Sequence, residues 1–417
     1  MRLVFSPAVL RSPLFLGLCI TLLQVVSAIL LQPSRTPLSA YGHLFAWDSA
    51  HYGEITRNGY RSSLPPPPLH RTLDFSDYIR DTNVAFFPGY PLAGSLIHAV
   101  TRLPISLSLL IVAQLAAWWF WTLLILLLRR WQLSNRAIAL TVGMLLAYPS
   151  SFFLIAAYSE SLFLAGLCGL IYWSTSGTAA SGTTFASLHG MVMSATRIFG
   201  LPLSIYPLLA AATRLQRNRY SWTDLRRAIL ITCLASTGAL LFFLYCHLAF
   251  GHWNLYLQRQ RMGWVLESDY FFFLKRHWRL FVPMPGREGW LEANFLSRVS
   301  ASLMLYLLIL LPIVDLAVSR QRITEWRERV PLYLLAWLQY YLLAVSLVHK
   351  GMASMIRYTF VVFLFLALAA AHLLHHAPIR STRLQKFSRA LIAIAASVGL
   401  SVQVLLIQRF TQEEWVG

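Results

Sequence analysis

Long apolar runs, separated by short arginine-rich connectors, dominate the chain. They fall near residues 12–31, 105–128, 137–157, 159–175, 184–213, 228–249, 297–318, 331–348, 357–376 and 390–408. The runs are continuous and do not alternate, which argues against a transmembrane β-barrel. Their lengths suit helices that cross a bilayer. The run 184–213 is too long for one span, and Gly200 and Pro202 interrupt it, so it predicts two short helices. The segment 88–103 is apolar but short, with Pro88, Pro91 and Gly94. A crossing there would reverse the side on which Arg129 emerges, so it predicts a re-entrant or interfacial segment. The expected fold is all-α: one polytopic transmembrane helix bundle over 1–417, with about 10 or 11 spans.

The connectors set the expected orientation. Arg129, Arg130 and Arg136 form one cluster, and Arg214, Arg217, Arg219, Arg226 and Arg227 the next. Arg320, Arg322, Arg327 and Arg329 follow, then Arg380, Arg383, Lys386 and Arg389. The positive-inside rule places all of them in the cytoplasm. Arg2 and Arg11 precede the first run, which is long enough to span and has no A-x-A-like site after it, so it reads as an uncleaved span. The opposite face then receives two long loops, 32–104 and 250–296, and shorter turns near 148–160, 197–200 and 349–356. Within the first loop, Pro65–Pro68 reads as a stiff polyproline spacer.

Composition sharpens this picture. Hydrophobic residues make up 57% of the chain and charged residues 12%, against about 25% charged in soluble domains. That excludes a soluble enzyme and a disordered chain. The formal net charge of +19 would suggest nucleic acid in a soluble protein. Here the connectors absorb it, and no nucleic-acid partner is expected. Cys19, Cys168, Cys233 and Cys246 lie inside apolar runs and read as small buried hydrophobes. There is no H-E-x-x-H, phosphate loop or dinucleotide fingerprint, so neither a metal nor a cofactor is expected.

The polar residues of interest fall on the non-cytoplasmic face. Trp47-Asp48-Ser-Ala-His51-Tyr52 opens the first loop. On a helix Asp48, His51, Tyr52 and Ile55 share one face, and Gly59 is a stop. Asp48 either caps or pairs locally, or serves as a base toward a sugar hydroxyl. Trp47 and Tyr52 suit the membrane interface. Further on, Ala85-Phe86-Phe87-Pro88-Gly89-Tyr90-Pro91 forms an aromatic wedge that lines a cleft or simply turns at the interface. Glu160 is a carboxylate within apolar sequence, a functional candidate by default. Arg197 sits alone in an apolar run and needs an anion, either Glu160 or a lipid phosphate. His349, Lys350 and Arg357 break the positive-inside pattern, which suggests a bound anionic headgroup or pairing with acids of the second loop. Tyr158, Gln260 and Tyr358 neighbour these charges and are further candidates to line a cleft.

These residues carry a family resemblance. Trp47-Asp48-x-x-His51-Tyr52…Gly59-Tyr60 resembles the W-D-x-x-H-[FY]…G-Y motif of the PIG-V mannosyltransferase family. Ala85–Pro91 is similar to its A-F-F-P-x-[YF]-P, and Pro149…Tyr158-Ser159-Glu160…Phe163 to its P-A-x-x-F…Y-S-E-x-x-F. Thr196-Arg197-x-x-Gly200 is similar to its T-R-x-x-G. The resemblance implies a GT-C glycosyltransferase that takes mannose from a polyprenyl- or dolichyl-phosphate donor and inverts the anomeric centre. It implies Asp48 as base, with His51 and Glu160 beside it as catalytic candidates. Arg197, His349, Lys350 and Arg357 become candidates to hold the leaving phosphate, whose negative charge grows during transfer. Trp47, Tyr52, Phe87, Tyr90, Tyr158, Gln260 and Tyr358 become the expected cleft lining. The acceptor is a glycan, glycolipid or protein. Arg197-Ile-Phe-Gly200 differs from the R-S-N-G of eukaryotic members, which fits a bacterial inner-membrane enzyme facing the periplasm, with the lumen of the endoplasmic reticulum as the alternative. A transporter or flippase of a lipid-linked sugar is the rival reading, against which stands the lack of inverted halves. A purely structural subunit is the third.

Overall fold

A computed structural model describes residues 12–32, 36–61, 82–175, 180–215, 222–264, 266–275, 282–283, 293–319, 323–376, 382–414 and 416. Pro65–Pro68, Arg2, Arg11, Arg217, Arg219, Arg320, Arg322 and Arg380 lie outside these residues. The described elements are helical, with no strand among them. In chain order they are α1 (Pro13–Leu30), α2 (Pro37–Gly42), α3 (Asp48–Asn58), α4 (Gly89–Thr101), α5 (Ile105–Arg130) and α6 (Asn135–Leu146). Next come α7 (Glu160–Ser174), α8 (Ala180–Thr196), α9 (Gly200–Leu203), α10 (Tyr206–Leu215), α11 (Trp222–Phe250) and α12 (Leu255–Trp264). The last are α13 (Ala293–Val318), α14 (Ile323–Leu347), α15 (Met355–His376) and α16 (Thr382–Thr411).

Among the described residues, seven helices are long and apolar enough to cross a membrane, and three shorter apolar ones accompany them. The chain is a multi-pass membrane protein. The run 184–213 divides as expected, into α8 and the short α9 and α10. The run 137–157 does not form one span. It gives the 12-residue α6, a turn, and a short 3-10 helix at Ser151–Leu154. Pro149 lacks the N–H a continuing helix needs there. Irregular backbone inside a bilayer needs protein partners, and the neighbours supply them. Gln24 of α1 donates to Ser151 O at 3.1 Å, Ser49 of α3 donates to Ala157 O at 3.0 Å, and Ala157 N donates to Leu44 O at 3.0 Å.

Small residues let α7, α8 and α11 approach closely. A Cβ at Gly190 would collide with Ala235, and Ser194 Oγ donates to Ala235 O across the helix pair at 2.6 Å. At one end these helices are tied by arginines. Arg130 donates to Tyr172 O at 2.5 Å, and Arg227 donates to Trp173 O at 3.1 Å and to Thr183 Oγ1 at 2.9 Å. From that plane α5 and α11 rise about 35 Å or more, at 1.5 Å per residue. The stretch of α7 from Tyr172 back to Glu160 rises only about 18 Å. The hydrocarbon layer is about 30 Å thick. Short helices thus leave a recess within the bundle, and Glu160 and Arg197 stand at its floor.

Candidate active site

Four charged side chains from four parts of the chain meet at that floor. Arg357, on the first turn of α15, donates through Nη1 to Asp48 Oδ2 at 2.8 Å and through Nε to Glu160 Oε1 at 2.5 Å. Arg197, just past α8, reaches the same Glu160 Oε1 at 2.6 Å. Two carboxylates and two guanidiniums make the cluster formally neutral. Glu160 and Arg357 are buried, whereas the Asp48 side chain is 21% exposed. Aromatic faces brace the arginines. Arg357 lies 4.6 Å from the Tyr158 ring centroid and 5.0 Å from that of Tyr358, and Arg197 lies 5.1 Å from Tyr358.

Local sequence explains the placement. Asp48 begins α3, where a carboxylate suits the positive end of the helix. It follows Trp47, held at φ 57° and ψ −118°, a conformation that L-residues rarely adopt. On α3, Tyr52 and Ile55 are buried, which turns the Asp48 face inward. Tyr52 donates to Ser159 Oγ at 2.8 Å, fixing α3 beside Glu160. On the other side, Met352 and Ser354 both take positive φ in the turn that delivers Arg357.

A cavity of about 800 Å³ opens above the cluster. Tyr52, Phe87, Arg197, Gln260, Arg357 and Tyr358 line it, all expected from the sequence. So do Arg261 and Glu267, which the sequence reading did not single out. A second, smaller cavity of about 20 Å³ lies against Glu160, Arg197 and Arg357, with Ser150 and Gln339 in its wall. Glu160 Oε2, Ser150 Oγ and Gln339 Oε1 are buried there without a hydrogen-bond partner among the described residues. Nothing in the sequence marked Ser150 or Gln339, since isolated polar residues in apolar helices are ordinary.

Other expected residues take supporting or separate places. Tyr90 is buried behind the site, donating to Leu109 O at 2.8 Å and meeting Tyr52 edge-on at 4.9 Å. Tyr158 backs Arg357 and does not line the large cavity. His51 is exposed and stacks on Phe86 at 5.3 Å. Trp47 is 38% exposed. His349 and Lys350 do not line either cavity. Asp269 draws His349 to 3.7 Å and Lys275 to 2.9 Å, and the hydrogen bond from Lys275 holds the Asp269 carboxyl below its usual range. Among the described residues no three His, Cys, Asp or Glu side chains gather as metal ligands.

No family model and no curated protein matches the chain. Among solved structures, it is similar to the archaeal oligosaccharyltransferase AglB from Archaeoglobus fulgidus in complex with an inhibitory peptide and a dolichol-phosphate. Identity is 12% and the TM-score 0.49, covering 94% of this chain and 56% of that one. It is also similar to the Archaeoglobus fulgidus oligosaccharyltransferase tethered by a disulfide to an acceptor peptide containing the NVT sequon. There identity is 11% and the TM-score 0.46, covering 97% of this chain and 56% of that one. The chain spans a little over half the length of the structures it matches.

Proposed function

We propose that this chain is an integral-membrane glycosyltransferase of the GT-C type. It moves a hexose, mannose by its motifs, from a polyprenyl-phosphate donor to an acceptor on the non-cytoplasmic side, facing the periplasm of a bacterial inner membrane. One observation carries the reading: Asp48 lies 2.8 Å from Arg357, a buried arginine that also holds Glu160 and lines the large cavity.

The chemistry follows from that placement. Asp48 Oδ2 is held by Arg357, and Oδ1 has no hydrogen bond within the described residues. An acceptor hydroxyl that reaches Oδ1 gives up its proton there as its oxygen attacks the anomeric carbon. The bond from that carbon to the phosphate oxygen breaks, and polyprenyl phosphate leaves with the electron pair. Attack from the face opposite the phosphate inverts the centre. Glu160 holds Arg357 and Arg197 in place, so Asp48 stays paired with an arginine that lines the cavity.

The test uses purified protein with polyprenyl-phosphate mannose labelled in the sugar. Wild type releases polyprenyl phosphate and labels the acceptor, an outcome that a flippase does not give. Asp48→Asn keeps the shape but not the base, and the transfer rate falls by about 10²–10⁴-fold. Undiminished transfer by Asp48→Asn removes the base assignment.

A further inference from the structure

The cations at the cavity floor are already engaged. Arg197 and Arg357 bind Glu160, and Arg357 binds Asp48 as well. Turning either one to a phosphate would leave a buried carboxylate without its partner, a costly exchange. A donor phosphodiester therefore needs a cation that is not committed.

Arg261 fits that need. It lines the large cavity from α12, it is exposed, and no hydrogen bond or ion pair within the described residues engages it. Its neighbours in sequence are engaged, and they fix the helix. Arg259 donates to Thr82 O at 2.8 Å and Gln260 donates to Ala85 O at 2.7 Å. Leu257 and Arg261, one turn apart, share the face that lines the cavity. Residues 342–347 at the end of α14 also line it, with Leu342, Leu343, Val345 and Leu347 giving an apolar wall. A free guanidinium together with an apolar wall suits an amphiphile with an anionic head and a hydrocarbon tail. The planar fork of arginine matches two phosphate oxygens.

We propose that Arg261 receives the phosphate of the lipid-linked donor, while the isoprenoid chain lies against the 342–347 wall of α14. This rests on the glycosyl-transfer reading and adds a residue outside the motifs. Glu267 is the other charged side chain lining the cavity without a partner among the described residues. Its charge opposes the phosphate, so it limits donor affinity.

The experiment measures binding of undecaprenyl phosphate to the full-length protein in detergent, with inorganic phosphate and undecaprenol as parallel probes. Donor kinetics are measured in the same preparations. Wild type binds undecaprenyl phosphate and neither of the others, because head and tail are both read. Arg261→Gln weakens binding and raises KM for the donor by about tenfold or more, the value of one charge-assisted contact. Its kcat falls as well, because the charge on the phosphate grows during transfer, while its unfolding temperature stays near wild type, since Arg261 has no other partner among the described residues. Arg261→Lys retains part of the affinity, and Glu267→Gln tightens binding. Wild-type affinity in Arg261→Gln overturns the assignment and leaves the transfer reading standing. Equal binding of inorganic phosphate overturns the lipid part. A wild type that neither binds undecaprenyl phosphate nor uses the donor refutes the transfer reading itself.

Discussion

α15 carries two buried charge clusters, and they differ in how completely they are satisfied. One holds Arg357 near its first turn. The other holds His372, fifteen residues on, about 22 Å along the same helix. In the second, Arg329 grips Asp315 with Nε to Oδ2 at 2.7 Å and Nη2 to Oδ1 at 2.6 Å. Tyr333 and Ser319 also donate to the Asp315 carboxylate, at 2.7 and 2.9 Å. Arg329 Nη1 meets His372 Nδ1 at 3.2 Å. Asp315 is 0% and Arg329 1% exposed, and neither lines the two cavities described above. In the first cluster both arginines share one oxygen of Glu160, the other oxygen has no partner among the described residues, and a large cavity opens above. A saturated network has nothing left to offer a ligand, so it serves to join helices. An unsaturated one that faces a cavity has spare lone pairs and a route for substrate.

The largest effect expected from this contrast is on stability, at the saturated cluster. Asp315→Asn leaves Arg329 buried without its counter-charge, and removing one partner of such a pair costs about 3–5 kcal/mol. The double variant Asp315→Leu/Arg329→Met recovers most of that loss, because no charge remains buried. Thermal unfolding in detergent measures both. Among molecules that stay folded, kcat is unchanged. A lowered kcat in the double variant would show that this cluster takes part in the chemistry and would dissolve the contrast.

Legibility in the sequence followed the same division. Glu160 and Arg197 stood out because a charge in apolar sequence is expensive, Asp48 by the motif that opens the first loop and Arg357 by its break in the positive-inside pattern, and the structure brings all four together. Asp315 is equally anomalous within an apolar run, but Arg329 was counted with its neighbours as a topogenic connector. Their pairing depends on how α13 and α14 fold back, which no local spacing records. His349 and Lys350 looked like phosphate ligands because of their side of the membrane, yet Asp269 takes His349 and neither lines a cavity. Arg261 lay in a mixed-charge stretch where nothing separated it from Arg259, although Arg259 is bonded and Arg261 has no partner among the described residues. The helix count fell short of continuous spans where Tyr148-Pro149 turns the chain inside the bundle.

A smaller effect, opposite in sign, is expected at the unsaturated cluster. Gln339 is 2% exposed and its Oε1 has no partner among the described residues. Leucine is of similar size and carries no polar group, so Gln339→Leu removes a desolvation penalty of about 1 kcal/mol. The unfolding temperature therefore rises, whereas the charged-to-neutral change at Asp315 lowers it. The gain in stability comes with slower transfer if the Gln339 amide helps to hold the wall beside Glu160. A fall in unfolding temperature would mean that Gln339 is satisfied after all, and the two clusters would no longer differ in kind.

The smallest effect concerns the backbone that presents the unsaturated cluster. Trp47, Met352 and Ser354 take positive φ beside Asp48 and Arg357, whereas no residue of the Asp315 cluster does among those described. Conformations of this kind cost about 1–3 kcal/mol and persist where surrounding structure enforces them. Replacing Trp47 removes its ring in any variant, so the informative comparison is between two replacements. Glycine tolerates φ 57° with ψ −118°, and alanine does not. Trp47→Gly should therefore be more stable than Trp47→Ala by about 1 kcal/mol, the reverse of their order at an ordinary helical position. Paired unfolding curves in one detergent give the difference directly. If alanine equals or exceeds glycine, the turn before Asp48 is unstrained, and the base is held by the packing of Tyr52 and Ile55 alone.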